Sequence, residues 1–283
     1  MEITYRLVNV FTDGDDPFSG NAVCVFEDGS ELSTYQMQAL STEVNQETVF
    51  LFPSKEAPDA QVRFFSPQKE TGFAGSASLA TAHVVRELLG GEGDVRLREV
   101  TYGDYLIVRE GEQWVFKAKP RRSKPLKTSP QIMASLVGLP VEAIDGEPMS
   151  VDSGAGGIIL PVRHVDDVRE TTLDARLLHS YAMLLNTEPA VYVWATSDED
   201  EDTIMSRMFY GPRGGVLEVA ATGSGAANLG SWFAAHGRTG IRRRIIQGRP
   251  LQRRSFVDLE VDANGDVFVG GRTREVARGV FRF

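Results

Sequence analysis

Arg63-Phe64-Phe65-Ser66-Pro67 is followed eight residues on by Gly75-Ser76-Ala77-Ser78, and the pattern returns as Arg207-Met208-Phe209-Tyr210-Gly211-Pro212 followed by Gly223-Ser224-Gly225-Ala226. Each copy is a short strand-like run, a loop, and a Gly-Ser turn that opens a helix of small apolar residues. The repetition predicts a chain built of two related halves. A helix start presents backbone N–H groups that lack intrahelical acceptors, together with a partial positive charge, so each start suits an anion. Two such starts predict a carboxylate held between the halves in one cleft. Taken singly, each also reads as an ordinary N-cap, because Ser is common there.

The bulk properties are consistent with that division. A chain of 283 residues exceeds the usual size of one domain. Hydrophobic residues at 42% and charged residues at 24% are ordinary for a soluble globular protein. A net charge of −9 argues against a nucleic-acid partner, which calls for a basic face. The basic run Arg242-Arg243-Arg244, with Arg249, Arg253 and Arg254, reads as a solvated strand face or as an attractor of acidic substrate. The single cysteine, Cys24, lies in the apolar run Ala22–Phe26 and reads as a packed small hydrophobe. The chain opens directly on an alternating strand, Ile3–Phe11, with no signal-peptide pattern, and no apolar run is long enough for a bilayer. No membrane association and a cytoplasmic location are therefore expected.

Along the first half, strands are predicted near Thr4–Phe11 and Ala22–Glu27, with a loop at Gly14–Asn21 between them. Ser33 and Gln36 have capping-box spacing at the start of a helix running to Val44. Thr48–Phe52 and Gln61–Phe65 read as strands, Ser76–Leu89 as a helix buried on most sides and stopped by Gly90-Gly91, and Trp114–Ala118 as a strand. The stretch Lys119–Pro130, with three prolines and five basic residues, reads as a linker. Helices near Gln131–Val137, Ala175–Leu185 and Ser224–Ala235 follow. Strands are predicted near Gly157–Val162, Ala190–Ala195, Arg244–Gln247, Ser255–Val261 and Val267–Gly270. The fold class expected is α+β: two similar domains, each a mostly antiparallel curled sheet around a central helix. The domains expected are residues 1–120, to which 270–283 could return, and 128–269.

Much chemistry is excluded by what the chain lacks. His83, His164, His179 and His236 show no ligand spacing to one another or to the cysteine, so no metal site is predicted. Gly154-Ala155-Gly156-Gly157 lacks the Lys-Ser/Thr ending and the following helix of a phosphate-binding loop. No Gly-x-Ser-x-Gly elbow is present. What remains is a site of backbone amides with a side chain to move protons. Glu47, in Asn45-Gln46-Glu47-Thr48-Val49-Phe50, sits between a helix end and an apolar strand. A carboxyl at the lip of an apolar core has its pKa raised by desolvation, as a general acid/base near neutral pH requires. The plainer reading is a surface Glu in a helix–strand connection.

Five segments resemble the PhzF family of phenazine-biosynthesis isomerases, within the diaminopimelate-epimerase-like fold. Phe11 through Gly20-Asn21-Ala22-Val23-Cys24-Val25 is similar to the family's opening F…GNP.AV, and Met37-Gln38-Ala39-Leu40 through Glu47-Thr48-Val49-Phe50 to its MQ.iA.E.n.sETvF. Glu70 through Gly75-Ser76-Ala77-Ser78-Leu79-Ala80 resembles E.pfCGHATLA, and Ala221-Thr222-Gly223-Ser224-Gly225-Ala226 resembles EDpATGSA. Gln247-Gly248 with Arg254 and Ser255 resembles QG…gRpS. The matches run in order over nearly the whole chain. The resemblance implies two similar domains with the active site between them, a homodimer, and no metal or organic cofactor. It places Glu47 at the catalytic position, moving a proton within a small carboxylated substrate, amino-acid-like or cyclohexadiene. It seats the substrate carboxylate on the amides of Gly75, Ser76 and Ala77 and of Thr222, Gly223 and Ser224.

This chain departs from the family pattern at two positions. Ser76 stands where the family often has His, and Val219 where it often has Asp. The racemase branch of the fold pairs two cysteines, and the matching positions here are Ala74 and Ala221. The readings in play are therefore a one-carboxylate isomerase, a binding protein that kept the anion cleft without turnover, and, excluded in its two-thiol form, an amino-acid epimerase.

Overall fold

The computed structural model of the chain describes residues 1–14, 16–54, 58–119, 122–211 and 215–283. Asp15 of the Gly14–Asn21 loop, Pro120 and Arg121 of the expected linker, and Pro212 of the second repeat lie outside the described residues. The chain divides into two units, Met1–Lys117 with Gly270–Phe283, and Ala118–Val269.

The first unit runs β1 (Glu2–Val10), β2 (Asn21–Phe26), α1 (Thr34–Val44), β3 (Glu47–Pro53), β4 (Ala60–Phe65), β5 (Glu70–Thr71), α2 (Gly75–Leu89), β6 (Val95–Glu99), β7 (Gly103–Glu110) and β8 (Gln113–Lys117). Strand β2 pairs parallel with β3 and β4 parallel with β6, while β1–β2, β3–β4, β4–β5, β6–β7 and β7–β8 are antiparallel. Parallel neighbours need a crossover, and here helices supply it: α1 lies between β2 and β3, and α2 between β4 and β6. Helix α1 starts at the capping box read from the sequence. Ser33 Oγ accepts from the Gln36 amide at 3.3 Å, and Gln36 Oε1 accepts from the Ser33 amide at 3.0 Å. It ends at Asn45 in the left-handed conformation. Helix α2 is buried from Gly75 through Ala82 and at Val84 and Val85, as its near-continuous small and apolar residues require.

The second unit repeats the plan. It runs β9 (Arg122–Pro125), α3 (Pro130–Val137), β10 (Met149–Asp152), β11 (Gly156–Pro161), α4 (Val165–Glu170), α5 (Ala175–Leu185), β12 (Ala190–Thr196), β13 (Thr203–Tyr210), β14 (Leu217–Val219), α6 (Gly223–Ala235), β15 (Ile241–Gln247), β16 (Ser255–Val261) and β17 (Val267–Arg282). Pairings β11–β12 and β13–β15 are parallel, and β12–β13, β13–β14 and β15–β16 are antiparallel. This is the first unit's series in the same order, with α4 and α5 in the place of α1 and α6 in the place of α2. The later part of β17 returns to the first unit, pairing antiparallel with β1 from Val10↔Thr273 to Glu2↔Arg282.

Each unit is thus a mostly antiparallel sheet around one buried helix. One local expectation is corrected. Arg122–Pro125, read as part of a linker, forms β9 and pairs with β10. All four of its residues are exposed, so it carries the polar, Pro-ended composition of an edge strand, which in sequence looks like a linker.

Candidate active site

Glu47 opens β3, two residues after the left-handed Asn45 that ends α1. The turn is held from both sides. The Thr48 hydroxyl donates to the Gln46 carbonyl at 3.0 Å. Late in α1, Gln38 Nε2 and Ser41 Oγ both donate to the Ser66 carbonyl at 3.1 Å, and Thr42 Oγ1 donates to the Pro67 carbonyl at 2.8 Å. Register carries the consequence further. Val23 lies opposite Glu47, Thr48 opposite Phe65, and Phe65 opposite Glu70. Glu47 therefore stands at the end of the sheet where β4 turns into β5, the strand that leads to α2. Its neighbours along β3, Thr48, Val49 and Phe50, are fully buried. Glu47 itself is only half-buried, yet burial pushes its carboxyl up to about 7. Desolvation is the sole cause, with no charged partner contributing among the described residues.

Gly75, Ser76 and Ala77 form the first turn of α2, and all three are buried. The residue at the N-cap is Ala74, whose side chain makes no capping bond. The Ser78 amide makes the first intrahelical bond, to the Ala74 carbonyl at 2.9 Å. The start of α6 differs. Thr222 is the N-cap, and its Oγ1 accepts from the Gly225 amide at 3.2 Å and bonds Ser224 Oγ at 3.0 Å. Gly225 is required there, because a Cβ would come within 2.5 Å of Thr222 Cγ2 and 2.7 Å of Tyr192 Cδ2. The second start thus carries a cap that the first lacks.

Among the described residues flanking these starts, no free acid, histidine or thiol stands ready as an alternative proton carrier. Val219 is apolar, and its carbonyl accepts from Gln247 Nε2 at 3.0 Å. Glu218, the nearest acid, is engaged by Arg207 at 2.7 Å. His83, on α2, bonds Thr273 Oγ1 through Nδ1 at 3.0 Å, and burial holds it below the ordinary histidine value. Cys24 is buried with its thiol pushed up to about 12, a packed hydrophobe rather than a nucleophile. Ala74 and Ala221 confirm that no thiol stands at either helix start.

Three features missed or left open by the sequence are resolved by the structure. His83, Glu87 and Glu275 bring ligand atoms within 4.8 Å of one another, a grouping of distant residues that histidine spacing did not show. Their carboxylates are already held by Arg6 and Arg278, so guanidinium groups occupy the positions a cation would take. Ala155, in the glycine-rich turn between β10 and β11, is tied to α6, its carbonyl accepting from Asn228 Nδ2 at 2.8 Å. In the basic run of β15, the exposed Arg242 and Arg244 pair with Glu260 at 3.0 Å and Asp258 at 3.1 Å, as a solvated face does, while Arg243, only 14% exposed, pairs with Asp202. A shallow groove of the second unit, lined by His179, Met183, Asn186 and Pro189 among others, includes none of the predicted site residues.

Comparison with known proteins bears on this arrangement. Residues 8–279 match the family described as phenazine biosynthesis-like protein. The chain is 28% identical to an uncharacterized isomerase of Pasteurella multocida, covering 97% of this chain and 92% of that protein. It is 29% identical to a trans-2,3-dihydro-3-hydroxyanthranilate isomerase of Pseudomonas aeruginosa, covering 95% and 99%. Among solved structures, the Bacillus anthracis phenazine biosynthesis protein of the PhzF family superposes with a TM-score of 0.85 over the whole of both chains at 20% identity. A hydroxyproline epimerase from Agrobacterium vitis superposes with a TM-score of 0.65 at 12% identity, covering 99% and 92%. At these identities the two structures speak for the fold, which is the epimerase-like α+β architecture.

Proposed function

Because the chain belongs to the phenazine biosynthesis-like protein family, we propose that it is an isomerase that moves a proton within a small carboxylated substrate, with Glu47 as the single acid/base. The observation that carries this reading is the Glu47 carboxyl, raised to about 7 at the mouth of β3. A carboxyl with that pKa takes a proton from carbon and returns it elsewhere on the same molecule at comparable cost in either direction. No metal or organic cofactor is part of the proposed reaction. The substrate carboxylate is anchored by helix-start amides, at Gly75, Ser76 and Ala77 in the first unit, and the start at Thr222, Gly223 and Ser224 binds an anion by the same physics. A homodimer acting in the cytoplasm, without nucleic-acid or membrane partners, completes the proposal.

Deuterium exchange tests it. The probe is trans-2,3-dihydro-3-hydroxyanthranilate, the compound named for the Pseudomonas aeruginosa relative. Incubation in D₂O with the protein is expected to place deuterium on a ring carbon as the double bonds shift. One observation favours a second reading, a binding protein without turnover: Ser76 and Val219 carry no titratable group. That reading predicts saturable binding of the same compound with no deuterium gained.

Titration of the labelled protein with a small carboxylate separates the anion argument from the chemistry. Amide shifts are expected at Gly75–Ala77 and at Thr222–Ser224. Saturable shifts confined to other residues would remove the helix starts from the site.

A further inference from the structure

Each repeated Arg-x-Phe stretch carries the same two-pronged ion pair. In the first unit, Arg63 Nε lies 2.7 Å from Glu70 Oε1, and Nη2 lies 2.7 Å from Oε2. In the second, Arg207 Nε lies 3.0 Å from Glu218 Oε1, and Nη2 lies 2.7 Å from Oε2. Each guanidinium also lies over the phenylalanine two residues on, 5.4 Å from the Phe65 centroid and 4.7 Å from the Phe209 centroid. In both, that phenylalanine is paired across the sheet with the glutamate. The glutamate precedes the helix start by five residues in each copy, Glu70 before Gly75 and Glu218 before Gly223.

The arginines reach a third partner as well. Arg63 Nη2 donates to Thr34 Oγ1, at the start of α1, at 3.0 Å. Arg207 Nη1 donates to the carbonyls of Arg169 at 3.0 Å and Thr171 at 2.7 Å, at the end of α4. One side chain therefore ties a long strand, a short return strand and the outer helical layer together. The return strands need such a tie: β5 has two residues and β14 three, too few ladder bonds to set their own direction. A planar fork on a carboxylate fixes orientation as well as distance. In the second unit the clamp is mostly buried, with Arg207 and Glu218 side chains 13% and 11% exposed. There Gly248 also lies close to the backbone of Ala220, the residue after the return strand. Gly248 has φ 77°, and a Cβ on it would come within 2.5 Å of the Ala220 carbonyl oxygen.

We propose that Arg63 and Arg207 are positioning residues, each aiming the helix start that follows its return strand. The functional half of this inference rests on the reading of those starts as anion sites. The positional half does not.

Amide hydrogen exchange in the full chain without ligand tests the positional half. Arg207→Met is expected to speed exchange at Gly225 and Ala226 by about tenfold, the worth of one charge-assisted hydrogen bond. Exchange at Ser78, in the first unit, stays as in the parent. Arg63→Met is expected to do the reverse. Arg207→Lys keeps the charge without the fork and falls between. If Arg207→Met does not fold, Glu218→Gln, which keeps the shape of the partner, replaces it. Unchanged exchange at the adjoining start in a folded variant would overturn the proposal, as would equal acceleration at both starts, the sign of general softening. Sulfate titration then reads the functional half: each Met variant is expected to lose sulfate response at its own start. A parent protein that binds no sulfate at either start defeats the anion reading while the exchange result still decides the clamp.

Discussion

Glu47→Gln is expected to lower deuterium incorporation into the substrate by about 10²–10⁴-fold, the usual contribution of a general acid/base. Gln keeps the shape and removes the titratable proton, and among the described residues around both helix starts no second carrier stands ready. Val219 and Ser76 cannot titrate, and Glu218 is held by Arg207. The parent's rate is expected to rise with pH through about 7, because the carboxylate must be ionised to take the first proton. Stability is expected to move the other way. A carboxyl whose folded pKa is raised favours the folded state most fully below its ordinary value of 4.5, and that advantage is lost as pH rises through about 7. At pH 8 the parent folds with an ionised, desolvated carboxylate, whereas Glu47→Gln folds without one. The variant is therefore expected to be more stable than the parent by about 1–2 kcal/mol at pH 8, a figure reduced because Glu47 is only half-buried. Urea unfolding at pH 5 and pH 8 checks it. Equal stabilities at both pH values, with undiminished deuterium exchange in the variant, would return Glu47 to an ordinary surface connection.

The fold was legible where periodicity and caps agreed. Helix α5 and strand β16 occupy the residues their patterns mark, Ala175–Leu185 and Ser255–Val261. The repeat of strand, loop and Gly-Ser helix start was visible because backbone geometry at a helix start restricts residue choice. Elements that owe their existence to partners were not visible. Strands β5 and β14 are too short for any period, and α4 is a six-residue helix with an acidic first turn. The candidate site divides in the same way. Glu47, the proposed acid/base, could be singled out from its place between a helix end and an apolar strand. The Arg63–Glu70 and Arg207–Glu218 pairs could not, since the partners lie at unequal separations in sequence. The signal that would have found them is the glutamate standing five residues before each helix start. The His83, Glu87 and Glu275 grouping was hidden for a simpler reason: Glu275 reaches α2 only because β17 returns to pair with β1.

That same return brings Glu275 of β17 to the buried Arg6 of β1. The Arg6 side chain is 4% exposed and faces Glu27 at 2.6 Å, Glu275 at 3.1 Å and Glu87, gathering β1, the end of β2, α2 and β17 on one guanidinium. Arg278 shares two of these carboxylates, lying 3.2 Å from Glu87 and 3.0 Å from Glu275. Exposed ion pairs contribute about 0–1 kcal/mol, and removing one partner of a buried pair costs about 3–5 kcal/mol. Arg6 is buried, but Glu27, Glu275 and Glu87 are 21%, 20% and 47% exposed, so water takes up part of the loss. Arg6→Met, which keeps most of the length of the stem, is expected to cost about 2–4 kcal/mol at pH 7. The sign of its pH dependence follows from Glu275. Burial alone would raise that carboxyl, but the bonds from Arg278 and Arg6 override it and hold it below its ordinary 4.5. A depressed carboxyl contributes stability above its ordinary value and loses it as pH falls through the folded one. In the parent this contribution fades on acidification. In Arg6→Met part of it is already absent. The gap between the two proteins is therefore expected to be widest near pH 7 and to narrow below pH 4.5, as Glu275 takes up its proton and stops needing a cation. Urea midpoints measured at both ends of that range decide the matter: a gap that stays constant, or one under about 0.5 kcal/mol at pH 7, would reduce Arg6 to one more surface ion pair.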